Sequence, residues 1–174
     1  MTSFDAAPAL WVRKQLKWAV RFQRGHDLPD DSRREGSVPV FAGGGVSGWH
    51  DEYCAEPPGI VTGRYGTIGE FHLVLTPYWP LNTALYSIDF FGNHPGFLRY
   101  LLEHIAPLFH VHAGKSAVPG VDRNDVHTIP VALPRPLVQE RIARALDEET
   151  GRIDALLVAK QRVLDLLAEK RKAI

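Results

Sequence analysis

The chain has 174 residues, 45% of them hydrophobic, and its 20 basic residues balance 20 acidic ones for a formal net charge of zero. That length holds one domain of ordinary size plus an appendage and argues against two full domains, while the single cysteine, Cys54, excludes an internal disulfide. No run approaches the roughly 18 apolar residues of a membrane span, and charges are spread through the first thirty residues where a secretory signal would be apolar, so a soluble, cytoplasmic protein is expected.

Near the N-terminus, residues 10–24 alternate loosely between apolar and basic and end at Gly25. Strand and short helix compete there, and a strand over 19–23 is favoured. The polar stretch 26–37, with Pro29 and consecutive charges, reads as a loop or a single helical turn leading into a strand at 38–41. Short apolar runs at 59–63, 71–75 and 84–88 are each bounded by Gly, Pro, Asn or Asp, as strands of a compact sheet are. One helix is predicted over 95–105, with Phe97, Leu98, Leu101, Leu102 and Ile105 on one face and Pro107 ending it. A last strand is expected over 126–131.

After Leu133-Pro134-Arg135-Pro136 the character changes. Residues 137–174 contain no proline, and Leu146, Ile153, Lys160, Leu167 and Ile174 recur every seven residues, with only Lys160 breaking the row. Leu156, Leu157, Val163 and Leu164 fill adjoining positions, the pattern of a helix packed along another helix. At 1.5 Å per residue the segment makes a rod of about 57 Å, longer than a domain of roughly 100 residues is wide. Ile153, Leu156, Leu157, Val163, Leu164 and Leu167 are therefore the candidate residues for pairing with a partner helix. The expected fold is α+β: a mixed, β-rich domain over 1–136 and a helical spacer or dimerisation arm over 137–174. No internal repeat is present.

Gly43-Gly44-Gly45-Val46-Ser47-Gly48 fits the dinucleotide pattern G-x-G-x-x-G. That motif has to open a helix facing the pyrophosphate, whereas Pro57-Pro58 stands too soon after it for such a helix to form, so a glycine-rich turn is favoured. Gly63-Arg64-Tyr65-Gly66-Thr67-Ile68-Gly69 is more useful. Its glycines let backbone approach a ligand closely while Arg64 offers a fork of donors and Tyr65 a stacking face; a plain hairpin turn competes on even terms. His110 and His112, with His104 and His127 nearby, would share an ion if they alternated along a strand, and a metal-dependent enzyme built on this histidine cluster is one rival reading. No third ligand stands at a recognised interval. Nor does a nucleophile elbow, a His-Glu-x-x-His or a carboxylate pair on one helix face occur, so no catalytic residue, metal ligand or cofactor is assigned.

The loop over 113–125 carries Lys115, Ser116, Arg123 and Asn124, the side-chain types that reach phosphates and base edges. A simple surface loop is the bland alternative. Charge is unevenly distributed: 7 basic and 5 acidic residues fall in 1–36, 5 and 8 in 37–136, and 8 and 7 in 137–174. The middle region, which holds seven of the eight histidines, is thus net acidic, and a plain electrostatic footprint for DNA is absent.

The order of these pieces resembles the specificity subunits of type I restriction-modification systems. Val38-Pro39-Val40-Phe41, Gly48-Trp49-His50-Asp51-Glu52-Tyr53, the stretch from Pro58 to Gly69, that from Ser116 to Asp125, and Ile129-Pro130-Val131-Ala132-Leu133-Pro134 leading into Gln139-Glu140-Arg141-Ile142-Ala143 are similar to a target recognition domain followed by the family's conserved helix. The likeness covers about Trp11 to Ile174. Two departures stand out: the family's helix usually opens Pro-Pro-x-x-Glu-Gln, whereas here Arg135 replaces the second proline and Val138 precedes Gln139, and the family commonly carries two recognition domains and two spacer helices where this chain has one of each.

The resemblance implies a half subunit, natural or a fragment. It would bind double-stranded DNA sequence-specifically through Arg64, Tyr65, Lys115, Ser116, Arg123 and Asn124 and read half of a bipartite target. Its helix would pair antiparallel, in a homodimer, to set the distance between halves. Methyltransferase subunits and a motor-nuclease restriction subunit would be the partners and would supply the catalysis. A coiled-coil adaptor that binds no DNA is the second rival.

Overall fold

Residues 8, 10–113 and 120–172 are described by the computed structural model of the chain. Lys115 and Ser116 of the expected contact set, and Ile174 of the heptad row, lie outside the described residues. In chain order the elements are β1 (Val12–Gln15), a 3-10 turn at Leu16–Trp18, β2 (Arg21–Arg24), a second 3-10 turn at Asp30–Ser32, β3 (Val38–Ala42), β4 (Gly45–His50), β5 (Gly59–Gly63), β6 (His72–Val74), β7 (Trp79–Pro80), β8 (Ala84–Asp89), α1 (Pro95–His104), α2 (Ala106–Ala113), α3 (Arg123–His127), β9 (Pro130–Leu133) and α4 (Pro136–Lys172).

The strands assemble into a four-stranded sheet in the order β2-β8-β5-β6, a three-stranded sheet β4-β3-β7 and the pair β1-β9. All pairings are antiparallel except β3 with β7. β5 and β8 form the centre. Alternate residues of a strand face opposite sides, and here both sides are covered: Ile60 and Leu85 join the larger core with Leu16, Phe22, Leu98, Leu102 and Phe109, while Val61, Ala84 and Tyr86 join a smaller one with Phe41, Val74 and Tyr78. The glycine-rich motif at 43–48 is the turn and return strand of the β3–β4 hairpin, in which Phe41 pairs with Val46; no helix follows it.

Three sequence expectations are corrected. His110 and His112 lie on helix α2, not on a strand, so two residues of separation turns them to different sides at 3.6 residues per turn. The first helix ends at His104, ahead of Pro107 as expected, but helical structure resumes at once in α2, where Pro107 sits in the first turn and its missing N–H costs nothing, and Phe109 is drawn inward against Phe71 with ring centroids 5.2 Å apart. The strand expected over 126–131 is instead the short helix α3 followed by β9, because the Asp122 carboxylate accepts from the Asn124 N–H at 2.7 Å and caps a helix start.

Helix α4 begins on Pro136, a residue suited to a first helical position. Its opening turns belong to the globular part. Gln139 is fully buried and Ala143 nearly so, while Tyr100 Oη donates to Asp147 at 2.7 Å and lies 3.2 Å from the Thr150 hydroxyl. Every residue from Arg144 to Arg171 is exposed. Past Thr150 the helix runs on through Lys172, a projection of about 33 Å.

Candidate nucleic-acid interface

Strands β2 and β5 are both antiparallel to β8, so they run the same way and their C-terminal ends emerge at one edge of the sheet, with Arg24 opposite Leu85 and Gly63 opposite Ala84. Each strand is followed by polar residues. The start of α3 is brought to the same edge because the Val121 N–H donates to the Arg64 carbonyl at 2.9 Å. The three segments enclose an open cleft of about 720 Å³ lined by Gln23, Arg24, His26, Asp27, Arg64 and Arg123, with Gly25, Leu85 and Asp122 completing it.

Beside the cleft Asn82 holds two of the cations. Its main-chain carbonyl accepts from Arg24 Nε at 3.2 Å and from Arg64 Nη1 at 3.3 Å, and its side-chain amide donates to the Asp27 carboxylate. A guanidinium carries five N–H donors, so one such bond fixes its position while leaving the rest of the fork for a ligand. The Arg64 guanidinium also lies over the Tyr65 ring, 5.1 Å from its centroid. Tyr65 remains 46% exposed. Its ring rests on Gly120, where a Cβ would stand only 2.4 Å from Tyr65 Cε1, so a side chain at that position would push the ring from this seat.

Arg123 and Asn124 are exposed at the start of α3. Arg123 lines the cleft opposite Arg64, whereas Asn124 stands beside it without lining it. His127 closes the same helix; its Nε2 accepts from the Phe22 N–H at 2.9 Å and its ring stacks on Phe22. Burial, reinforced by the nearby Arg123 and Arg21, holds this imidazole below its ordinary pKa, in keeping with a neutral ring that accepts through Nε2.

Thus Arg64, Tyr65 and Arg123, expected from sequence, are brought together, and Arg24, Gln23, His26 and Asp27 join them. The last four were not anticipated. The signal for them was present, since the alternating stretch over 10–24 ends at Gly25 within the only region with a basic surplus, residues 1–36, apart from the arm. Three guanidinium groups face two carboxylates, of which Asp122 is engaged as a helix cap and Asp27 by Asn82. Such a cationic, fork-shaped donor set matches the guanine O6/N7 edge or phosphate oxygens. Among the described residues, no three of His, Cys, Asp and Glu are gathered where they could hold a metal ion.

The candidate pairing residues of the arm present an apolar stripe interrupted at Lys160. Ile153, Leu156, Leu157, Val163, Leu164 and Leu167 are each between 54% and 59% exposed, and no described part of the chain covers them.

Neither a family model nor a curated protein matches the sequence. Solved structures do share the fold. The S subunit of the type I restriction-modification system of M. genitalium superposes with a TM-score of 0.69 at 18% identity, over 84% of this chain and 40% of that one. A chain from a structural study of complex assembly and conformational transition in a type I R-M system gives 0.72 at 17% identity, over 86% and 40%. The HsdS subunit of Thermoanaerobacter tengcongensis gives 0.67 at 18%, over 86% and 40%. The likeness is one of fold: a mixed β-rich domain carrying a long C-terminal helix. The present chain spans 40% of the length of each of these proteins.

Proposed function

We propose that the chain is a DNA-specificity half subunit of a type I restriction-modification system, whose globular part reads one half of a bipartite double-stranded target. The observation that carries this reading is the convergence of Arg24, Arg64 and Arg123, with Tyr65 alongside, on one open cleft at the sheet edge. The long exposed stripe on α4 supports the second half of it, for a projecting helix of this kind is suited to hold two reading heads apart. In this account two copies pair antiparallel through Ile153, Leu156, Leu157, Val163, Leu164 and Leu167, and the symmetric dimer reads inverted half-sites. Methyltransferase subunits share the phosphate contacts and, with a motor-nuclease subunit, perform the catalysis; the chain itself is not an enzyme. Fold likeness to S subunits at 17–18% identity agrees with this assignment.

Selection from a random duplex library by the chain assembled with its methyltransferase subunits is the direct test. Enrichment of two short inverted elements at fixed spacing is expected. Enrichment of nothing over the starting pool would overturn the reading and leave the arm to the adaptor alternative.

A further inference from the structure

The turn after β8 holds an exposed ring in an uncommon conformation. Phe91 has φ of +49°, the only positive φ at a non-glycine position among the described residues, and a bulky side chain there signals strain retained by the surroundings. Those surroundings are specific. The Phe91 N–H donates to the Asp89 carboxylate at 2.8 Å, Asn93 Nδ2 donates to the carbonyls of Phe90 and Ala19, and the buried Gln139 donates to Asn93 Oδ1. The turn is thereby clamped between the segment leading into β2 and the start of α4.

What the clamp presents is an aromatic and cationic cluster. The rings of Phe91 and Trp18 meet edge to face at 6.1 Å, the Arg21 guanidinium lies 5.1 Å from the Phe91 centroid, and the Lys17 ammonium lies 5.4 Å from that of Trp18. Trp18 is 51% exposed and Phe91 37% exposed. The nearby carboxylate, Asp89, is already engaged by the turn's own N–H. The cluster also joins the cleft: Arg21 and Gln23 share one face of β2, roughly 7 Å apart at 3.3 Å per residue, Gln23 lines the cleft, and His127 feels Arg123, Arg21 and Lys17 together.

We propose that Lys17, Trp18, Arg21 and Phe91 form a second DNA contact, continuous with the arginine cleft along β2, in which the two cations meet phosphates and the two rings lie against deoxyribose of the duplex flanking the half-site. The proposal rests on the DNA-reading function above and extends it to a contact that positions the duplex without reading it. A duplex offers one charge per about 1.7 Å of axis, so a cationic track of this length is complementary to it.

The test uses the assembled complex, its selected duplex and a scrambled duplex. For Lys17→Ala/Arg21→Ala, affinity should fall by the same factor on both duplexes, and the slope of log affinity against log salt should shrink by about 1 for each phosphate no longer neutralised. Trp18→Ala should shorten hydroxyl-radical protection on the flank. Phe91→Gly relieves the backbone strain, so it should keep or raise thermal stability while weakening DNA binding, a divergence that a purely structural role would not produce. Unchanged affinity, slope and protection in these variants, with Arg64→Ala/Arg123→Ala still relaxing sequence preference, would overturn this proposal and leave the proposed function standing. Failure of the methyltransferase to co-purify, with unchanged DNA affinity per assembled complex, would overturn it too, by making the patch a protein interface. If the unaltered complex prefers no duplex at all, the proposed function fails and this contact with it.

Discussion

Gln139 Oε1 accepts from the main-chain N–H of His94 at 2.9 Å across 45 residues of sequence. The same amide donates to Asn93 Oδ1 at 2.8 Å and to the Pro134 carbonyl at 2.9 Å, so one fully buried side chain fixes the root of α4 to the turn before α1. The direction in which the arm leaves the globular part is set there.

Replacing Gln139 by Leu keeps volume but strands a buried N–H and two acceptors. At about 1–3 kcal/mol for each unsatisfied group, partly relieved by relaxation, a loss of about 2–4 kcal/mol is expected, or roughly 5–15 °C in Tm for a chain of this size. Urea denaturation measures it. A loss below about 0.5 kcal/mol would mean that the amide network does not hold the arm's root.

The arginine cleft gives a prediction on recognition. Arg64→Ala and Arg123→Ala should each weaken binding to the selected duplex by about 1–3 kcal/mol if they contact base edges, with relaxed preference at one position apiece. Arg24 shares the Asn82 carbonyl with Arg64, so a double substitution of Arg24 and Arg64 should cost other than the sum of the two single changes. Anisotropy titrations on target and point-mutated duplexes would reveal it; retention of full affinity and preference by both single variants would remove the cleft from recognition.

His127 makes stability depend on pH. Burial, with Arg123, Arg21 and Lys17 adding to it against a smaller opposing effect of Asp122, lowers its folded pKa beneath the unfolded value near 6.5. The unfolded chain therefore takes up this proton first, and the contribution to stability is complete above about pH 6.5 and lost as pH falls through the depressed folded pKa. His127→Gln keeps an acceptor for the Phe22 N–H but does not titrate. The drop in urea midpoint from pH 7 to pH 5 should be smaller in the variant than in the parent, and equal drops would show that the histidine stays neutral for other reasons or is not linked to folding.

Much of the fold was legible because local signals agreed with tertiary ones. The strand at Gly59–Gly63 and the helix from Pro95 were bounded by glycine, proline and periodicity that packing had no reason to overrule. Misreadings fell where two signals conflicted. His110-Val111-His112 alternates as a strand does, yet Phe109 has to reach the core beside Phe71 and α2 follows α1 directly. At 126–131, β-branched Val126 and Ile129 suggested a strand, but Asp122 capped a helix first. The cleft was half legible: Arg64, Tyr65 and Arg123 were picked for their chemistry, whereas Arg24 enters only because β2 and β5 are both antiparallel neighbours of β8, a pairing that periodicity does not encode.

The arm yields the last prediction. Leu157 and Leu164 are both 59% exposed, one heptad apart, and flank the position where Lys160 interrupts the row. Burying an apolar side chain of this size is worth about 1.5–3 kcal/mol when complete, so six such residues on each of two helices give an interface that survives the entropy of association. Light scattering should return twice the 19.4 kDa chain mass for the unaltered protein and the single mass for Leu157→Glu/Leu164→Glu. Because neither leucine touches the globular part, that variant should keep the parent's unfolding transition for the β-rich core and its ability to contact one half-site, while losing the fixed spacing between two. A variant that kept the doubled mass would place the pairing surface elsewhere on the molecule, and Lys160 would then no longer need explaining as a break in a buried row.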